Sequence, residues 1–340
     1  MRILVLVHED LVPPDSVEGF SDKEILEWKS EFDVVSTLRE MGHDVKPLGV
    51  SDDLGKIRKE IELWKPHIAF NMLEEFHGIS LYDQHVVSYL ELLRQPYTGC
   101  NPRGLMLAHD KALCKQILAY HRILTPKFIV YPMKRAVKPV KRLQYPLVVK
   151  SVSEEASLGI SQASIVTSDE KLKDRVEFVH ASVQSDALVE EYIEGRELYV
   201  GILGNQRLQT LPIWELKFTK SGDRVPLIAT AKVKWDQDYQ EKLGVKTGGA
   251  DALPEGVESK ILKQCARTYR ALFLTGYARI DLRLAEDGRA YVLEANPNPN
   301  ISYGEDLAES AEAAGIDYDG LLHRIITLGR SYKAAWRTDV

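Results

Sequence analysis

The sequence predicts an α/β protein that opens on a parallel sheet, and three observations carry this. Short apolar runs alternate with helically spaced apolar residues over the first 100 positions, the pattern of strand–helix–strand units. At 340 residues the chain has room for two or three domains. Toward the C-terminus two stretches, 278–284 and 290–300, flank Asp287-Gly288, a favoured hairpin turn.

In order along the chain, residues 2–7 read as a buried strand. Ile25, Trp28, Phe32, Val35 and Leu38 recur at helical spacing, and Gly42 follows as a stop. Residues 43–47 and 67–72 read as further strands, 84–93 as a helix, and 96–99 as a short strand and turn. In a parallel sheet ligands bind beyond the carboxyl ends of the strands. His8, Glu9, Asn71 and Glu74 occupy such ends, and each equally reads as a capping or solvated loop residue. No glycine-rich fingerprint follows the first strand, so a nicotinamide cofactor is not expected there.

Residues 110–120 then read as a helix, 127–131 as a strand and 134–142 as a basic connector. A strand at 145–150 ends in Lys150, a polar loop fills 151–159, and a strand follows near 161–166. Residues 172–182 read as a helix, 187–192 as a strand ending in acids, and 196–204 with 207–213 as a hairpin. Residues 236–250, polar and glycine-bearing, read as a mobile loop and a candidate lid. A long helix at 258–273 leads into the C-terminal hairpin, and 305–328 is mainly helical with a break near Gly315. The expected domains are 1–100, 101–186 and 187–335.

Composition removes several classes of function. A net charge of −6 offers no attraction to nucleic acid or an anionic membrane. No apolar run is long enough to span a bilayer, and the opening one is too short for a signal peptide. Cys100, Cys114 and Cys265 lack metal or redox spacing and suit a reducing compartment. The expectation is a cytoplasmic enzyme.

The hairpin carries the chemistry. With Asp287-Gly288 as a two-residue loop, Glu286 pairs with Arg289, Asp281 lies opposite Glu294, and Arg279 lies opposite Asn296. Side chains alternate along a strand, so these four share one face, while Ile280, Leu282, Leu284, Tyr291 and Leu293 take the core face. Opposed carboxylates repel. A cation between them removes the conflict, and two carboxylates with an amide oxygen suit Mg²⁺. The same pattern also fits an ordinary hairpin with a solvated polar face.

Two further elements bear on this one. Lys150 at a strand end is a phosphate ligand or a snorkelling surface residue. The small residues Ala156, Ser157 and Gly159 beyond it offer backbone N–H groups that can cradle phosphate oxygens. The acids from Glu190 to Glu197 can accept hydrogen bonds from a purine amino group and ribose hydroxyls, or form a charged turn.

In this order the elements resemble the ATP-grasp enzymes, and within them the D-alanine–D-alanine ligases, from about residue 71 to 328. Pro96-Tyr97-Thr98-Gly99 resembles the turn before the central domain, and His109-Asp110-Lys111 the family's Met-Asp-Lys. Pro146 to Lys150 resembles the strand ending in the nucleotide lysine, and Glu190 to Glu197 the adenine–ribose hinge. Arg279-Ile280-Asp281 with Glu294, Asn296 and Pro299 resembles the metal-holding signature. The resemblance implies a two-subdomain ATP-grasp fold behind the N-terminal sheet. It implies Mg²⁺ (Mn²⁺ as the alternative ion) on Asp281, Glu294 and Asn296, and ATP phosphates on Lys111, Lys150, Ser157 and Lys232, with Lys234 competing for the last place. Glu190, Glu191 and Ile193 would contact adenine, Glu197 the ribose, and Arg279 the tetrahedral intermediate. The implied partners are a small carboxylate and an amine, and the implied assembly is a homodimer.

Departures fall on the amino-acid sites. Ala156 replaces a serine of the phosphate-side loop, and Glu305-Asp306 replaces the Ser-Leu pair that holds the second D-alanine's carboxylate. Acids there repel a carboxylate and favour a cationic group, or leave that end of the acceptor unbound. Glu24 or Glu27 is the candidate for the first amino group. The expected activity is an ATP-dependent carboxylate–amine ligase with an acceptor other than D-alanine. An ATP-grasp phosphotransferase and a nucleotide-binding regulator without turnover are the alternatives.

Overall fold

The structure is a computed structural model that describes residues 1–153, 161–218 and 244–337. Three sheets organise them. The first is parallel, in the order β2 (Asp44–Val50), β1 (Arg2–His8), β3 (Ile68–Asn71). Ile3 to Val7 are all fully buried because helices cover both faces. On one face Ile3, Val5 and Val7 meet α2 (Lys29–Glu40) and the last helix, α10 (Tyr318–Ser331). On the other, Leu4 and Leu6 meet α3 (Leu54–Trp64) and α4 (Asp83–Leu92). The chain's C-terminal end thus completes the core of its N-terminal domain.

The helical spacing expected from Ile25 to Leu38 is split in two. Helix α1 (Asp22–Glu27) starts at a capping box in which Ser21 and Glu24 satisfy each other's backbone N–H groups. It stops at Trp28, whose φ of −121° breaks the helix before α2 begins. Trp28 packs edge-on against Phe20 at 5.4 Å and beside Phe32 at 5.6 Å, so the break holds an aromatic cluster together. Helices α3 and α5 (Pro102–His109) had no counterpart in the sequence reading.

After α6 (Lys111–Tyr120) comes an antiparallel sheet in the order β4 (Phe128–Tyr131), β7 (Ala187–Glu191), β5 (Leu147–Ser151), β6 (Ile165–Val166). Its Leu147, Val149 and Val189 pack on α7 (Asp169–Phe178), which leaves Val148, Lys150, Leu188 and Glu190 on the other face. The expected boundary at 186/187 falls just ahead of β7, whose pairing puts it in this middle sheet.

The third sheet runs β11 (Val245–Gly249), β10 (Trp214–Phe218), β8 (Arg196–Gly204), β12 (Tyr277–Leu284), β13 (Ala290–Pro297), with β9 (Leu208–Thr210) paired to β8. Two corrections fall here. Residues 245–249, expected within a mobile loop, are an edge strand, and β10 was not foreseen. Leu198, Val200, Ile202, Ile280 and Leu282 face α8 (Val257–Ala271) and helices α5 and α6. The opposite face carries the polar residues. Ser157, Lys232, Lys234 and the 236–243 part of the expected lid lie outside the described residues. Among the described residues no helix is long and apolar enough to cross a membrane.

Candidate active site

The hairpin of β12 and β13 brings the expected four residues together, by a route the sequence reading did not foresee. The turn has three residues between its closing pair: Ala285 N donates to Arg289 O at 2.9 Å. That shifts the pairs next to the turn by one place, to Leu284 opposite Ala290 and Leu282 opposite Val292. A β-bulge at Leu293 then restores the register, so Asp281 faces Glu294 and Arg279 faces Asn296. The core-face assignment is corrected accordingly. Val292 and Ala295 are buried in the core, while Tyr291 and Leu293 are only partly buried.

β8 continues this polar face on the other side, with Gly201 opposite Arg279, Tyr199 opposite Asp281 and Glu197 opposite Arg283. Arg279 holds Asp281 in a fork, Nε to Oδ1 at 2.8 Å and Nη2 to Oδ2 at 3.0 Å, and its guanidinium lies 4.6 Å over the Tyr199 ring. Burial works against the charge of Arg279, and Asp281 with Asp306 more than offsets it, so the guanidinium stays protonated. Arg283 Nη2 donates to Glu197 Oε2 at 2.6 Å, and the Tyr199 hydroxyl to Glu197 Oε1 at 3.0 Å. Glu197, assigned to ribose, is therefore already held in place by two donors.

Gly201 matters for what sits on this face. A side chain there would meet Leu307 Cδ1 at 2.6 Å and Leu211 Cδ1 at 2.8 Å. Its absence lets α9 (Asp306–Ala313) settle on the sheet with its first residue toward the site, Asp306 Oδ2 lying 3.5 Å from Arg279 Nη1. Partial desolvation and the Asp306 charge raise the neighbouring Glu305 carboxyl, against the pull of Arg279 and Lys29. Acids suit the first turn of a helix, but these two also put negative charge beside the arginine. The loop between β13 and α9 is tied to the N-terminal domain. Ser30 donates to Asn300 Oδ1 at 3.0 Å and also bonds Ser302, and Lys29 donates to Tyr303 O at 2.9 Å. Asn298, at φ +50°, accepts from Cys100 N at 2.7 Å above Gly99.

From the middle sheet Glu190 approaches the same hairpin, since its partner Lys115 also bonds the Leu293 carbonyl. Glu190 is 2% exposed, with Lys150 Nζ at 2.8 Å from Oε1 and Lys115 Nζ at 2.7 Å from Oε2. Burial raises its carboxyl, but the two lysines outweigh burial and hold it below the usual range. The adenine contact expected of Glu190 must therefore share a carboxylate with two ammonium groups. Glu191 points to the other side of β7, toward Gln144 N at 3.1 Å and Lys127 at 3.8 Å. Ile193 lies in the connection to β8, and Lys111 is the first residue of α6, its N–H on Val152 O at 3.1 Å. Lys115 was missed. Its signal was a lysine on the face of α6 that also carries Ala112, Cys114 and Leu118.

In the N-terminal domain, His8 pairs with Glu75 at 3.4 Å and Glu9 with Lys56 at 3.1 Å, both local contacts at the end of β1. Asn71 is buried and its N–H donates to Thr98 Oγ1 at 3.0 Å. Glu24 is committed to its capping box, and Glu27 ends α1 on the surface.

The fit to a divalent cation is tested by Asn296, whose side-chain amide nitrogen is buried without a hydrogen-bond partner. Rotating the amide by half a turn exchanges nitrogen for oxygen. The position then presents an oxygen beside the Asp281–Glu294 pair, which is what a hard cation takes.

Comparisons with known proteins show which family the chain resembles. The family described as D-ala D-ala ligase C-terminus matches residues 116–327. A D-alanine–D-alanine ligase of Nitratidesulfovibrio vulgaris is 32% identical over 89% of this chain and 95% of its own. An uncharacterized protein of Sinorhizobium fredii is also 32% identical, over 86% of this chain and 85% of its own. The crystal structure of a D-alanine–D-alanine ligase from Bacillus anthracis complexed with ATP superposes with a TM-score of 0.74 at 26% identity, covering 97% of each chain.

Proposed function

The chain belongs to the D-alanine–D-alanine ligase family of ATP-grasp proteins, and on that premise we propose that it joins a carboxylic acid to an amine through an acylphosphate, with an acceptor other than D-alanine. The observation that carries the reading is the facing pair Asp281–Glu294 with Arg279 and Asn296 beside it. A Mg²⁺ ion on Asp281, Glu294 and Asn296 would supply charge neutralisation for phosphoryl transfer. Lys111, Lys150, Ser157 and Lys232 would bind ATP phosphates. Glu190 and Ile193 would hold adenine and Glu197 the ribose; Glu191, expected with them, is turned to the other side of β7 and drops out of that set. Glu27 is the remaining glutamate for a donor amino group, since Glu24 is used as a cap.

In the first step the donor carboxylate attacks the γ-phosphoryl and ADP leaves; the lysines orient the phosphates in line. In the second the amine attacks the acyl carbon and phosphate leaves. Arg279 has five N–H groups. Two are held by Asp281 and one faces Asp306, which leaves two for the developing oxyanion.

The acceptor reading rests on Glu305 and Asp306. A free carboxylate brought near them meets two anions, and the arginine that would offset it is already shared. An amine without a free α-carboxylate, or one with a second cationic group, fits this end. The test is an ADP-release panel of acids and amines with mass spectrometry of the products. The expected product is an amide from a decarboxylated, esterified, amidated or dibasic amine, lost in Asp281→Asn. Efficient formation of D-alanyl-D-alanine would overturn the acceptor reading.

A further inference from the structure

Lys115 is 1% exposed in the joint between the two sheets, and nothing in the reaction above uses it. Its ammonium forms an ion pair with Glu190 Oε2 at 2.7 Å and donates to Thr125 Oγ1 at 2.9 Å and the Leu293 carbonyl at 3.0 Å. Leu293 is the bulge residue, and Glu294 follows it directly. A bulge frees backbone groups from the ladder, and buried ones must find partners elsewhere. Here Val292 N donates to Leu124 O at 2.8 Å, and Lys115 takes the Leu293 carbonyl. Without the bulge the register set by the turn would run on, placing Leu293 opposite Asp281 on the site face and turning Glu294 toward the core beside Ile280. The far oxygen of Glu190 is on Lys150, so a continuous polar chain runs from the backbone beside Glu294 to the nucleotide-facing lysine.

We propose that Lys115 is a positioning residue that locks the Leu293 bulge, and so the metal-side carboxylate Glu294, to the Glu190–Lys150 pair of the nucleotide strand. This rests on the reading of Glu294 as a metal ligand. It predicts that the two halves of Mg²⁺–nucleotide recognition are coupled through a residue that touches neither.

The test is calorimetric titration of the full-length protein with ADP, with and without Mg²⁺. In Lys115→Met, which keeps the packing and drops the charge, affinity for Mg²⁺–ADP should fall ~10-fold or more while affinity for metal-free ADP stays within about twofold. If that variant is insoluble, Lys115→Met/Glu190→Gln removes the charges as a pair; whatever the loss of Glu190 does to metal-free ADP, the ratio of Mg²⁺–ADP to ADP affinity should fall by the same ~10-fold. A residue that merely supports the fold would lower both affinities together or neither, and either result overturns the proposal. Asp281→Asn separates the two layers. If it too leaves the Mg²⁺ increment intact, the metal reading of the hairpin fails and the role of Lys115 with it. If it removes the increment and Lys115→Met does not, only the Lys115 role fails.

Discussion

Glu31 should make this protein lose stability between acid and neutral pH, and removing its charge should abolish that loss. It lies in the first turn of α2, on the face of Val34, Val35 and Leu38, and is 6% exposed. Burial lifts its carboxyl from an ordinary 4.5 to about 7, and Asp33 adds to the rise. The folded protein therefore holds this proton more tightly than the unfolded chain. The contribution to stability is complete below about pH 4.5 and is lost as the pH rises through about 7. At roughly 1.4 kcal/mol per tenfold in proton affinity, the loss is on the order of 3 kcal/mol by pH 8. Glu31→Gln keeps the shape and removes the ionisation. Urea midpoints measured from pH 4 to 8 should show wild type and variant together at pH 4 and the variant more stable by ~2–3 kcal/mol at pH 8. Parallel curves would show that Glu31 is solvated or paired, and the reasoning would fail. The site is adjacent, since Ser30 holds the Asn300–Ser302 loop.

Three further outcomes follow from the site. Asp281→Asn should cut ADP release by ~100-fold or more, because the proposed metal ligand and the anchor of Arg279 go together; near-normal turnover in a steady-state ADP assay would contradict that. Glu190→Gln leaves Lys115 and Lys150 facing each other without an anion and should cost ~3–5 kcal/mol, read as a lower thermal midpoint and a raised KM for ATP. Glu305→Ser with Asp306→Leu removes two anions within reach of the acceptor. At an effective dielectric near 20 each is worth ~2–4 kcal/mol against a nearby carboxylate, so acceptors bearing an α-carboxylate should gain at least ~10-fold in kcat/KM over the same amines amidated. An unchanged ratio would place the acceptor elsewhere.

Much of the fold was legible because it depends on period and punctuation. The fully buried first strand, the long helix before the hairpin and the break at Gly315 each carry a local signal. The parts that were missed depend on partners distant in sequence. The amphipathic helix Leu54–Trp64 was passed over, and Trp214–Phe218 and Val245–Gly249 pair across a segment of polar sequence that carries no hairpin cue. The hairpin is the most instructive element. Its site pairs came out right because a longer turn and a one-residue bulge cancel, and the same cancellation moved Tyr291 and Leu293 off the core face. No local residue type announces that bulge, because what stabilises it is Lys115 and the Leu124 carbonyl, some 170 residues upstream. Lys111, Lys150 and Glu190 could be picked out singly, but the pairing of Glu190 with two lysines is a tertiary fact.

The most direct test of a carboxylate–amine ligase acting through an acylphosphate follows one oxygen atom. The donor acid from the ADP-release panel is labelled with ¹⁸O in its carboxylate, and turnover is run with its amine. One labelled oxygen should appear in each phosphate released, with the other retained in the amide. Unlabelled phosphate, or label retained in full by a stable phosphorylated product, would contradict the mechanism proposed for this site.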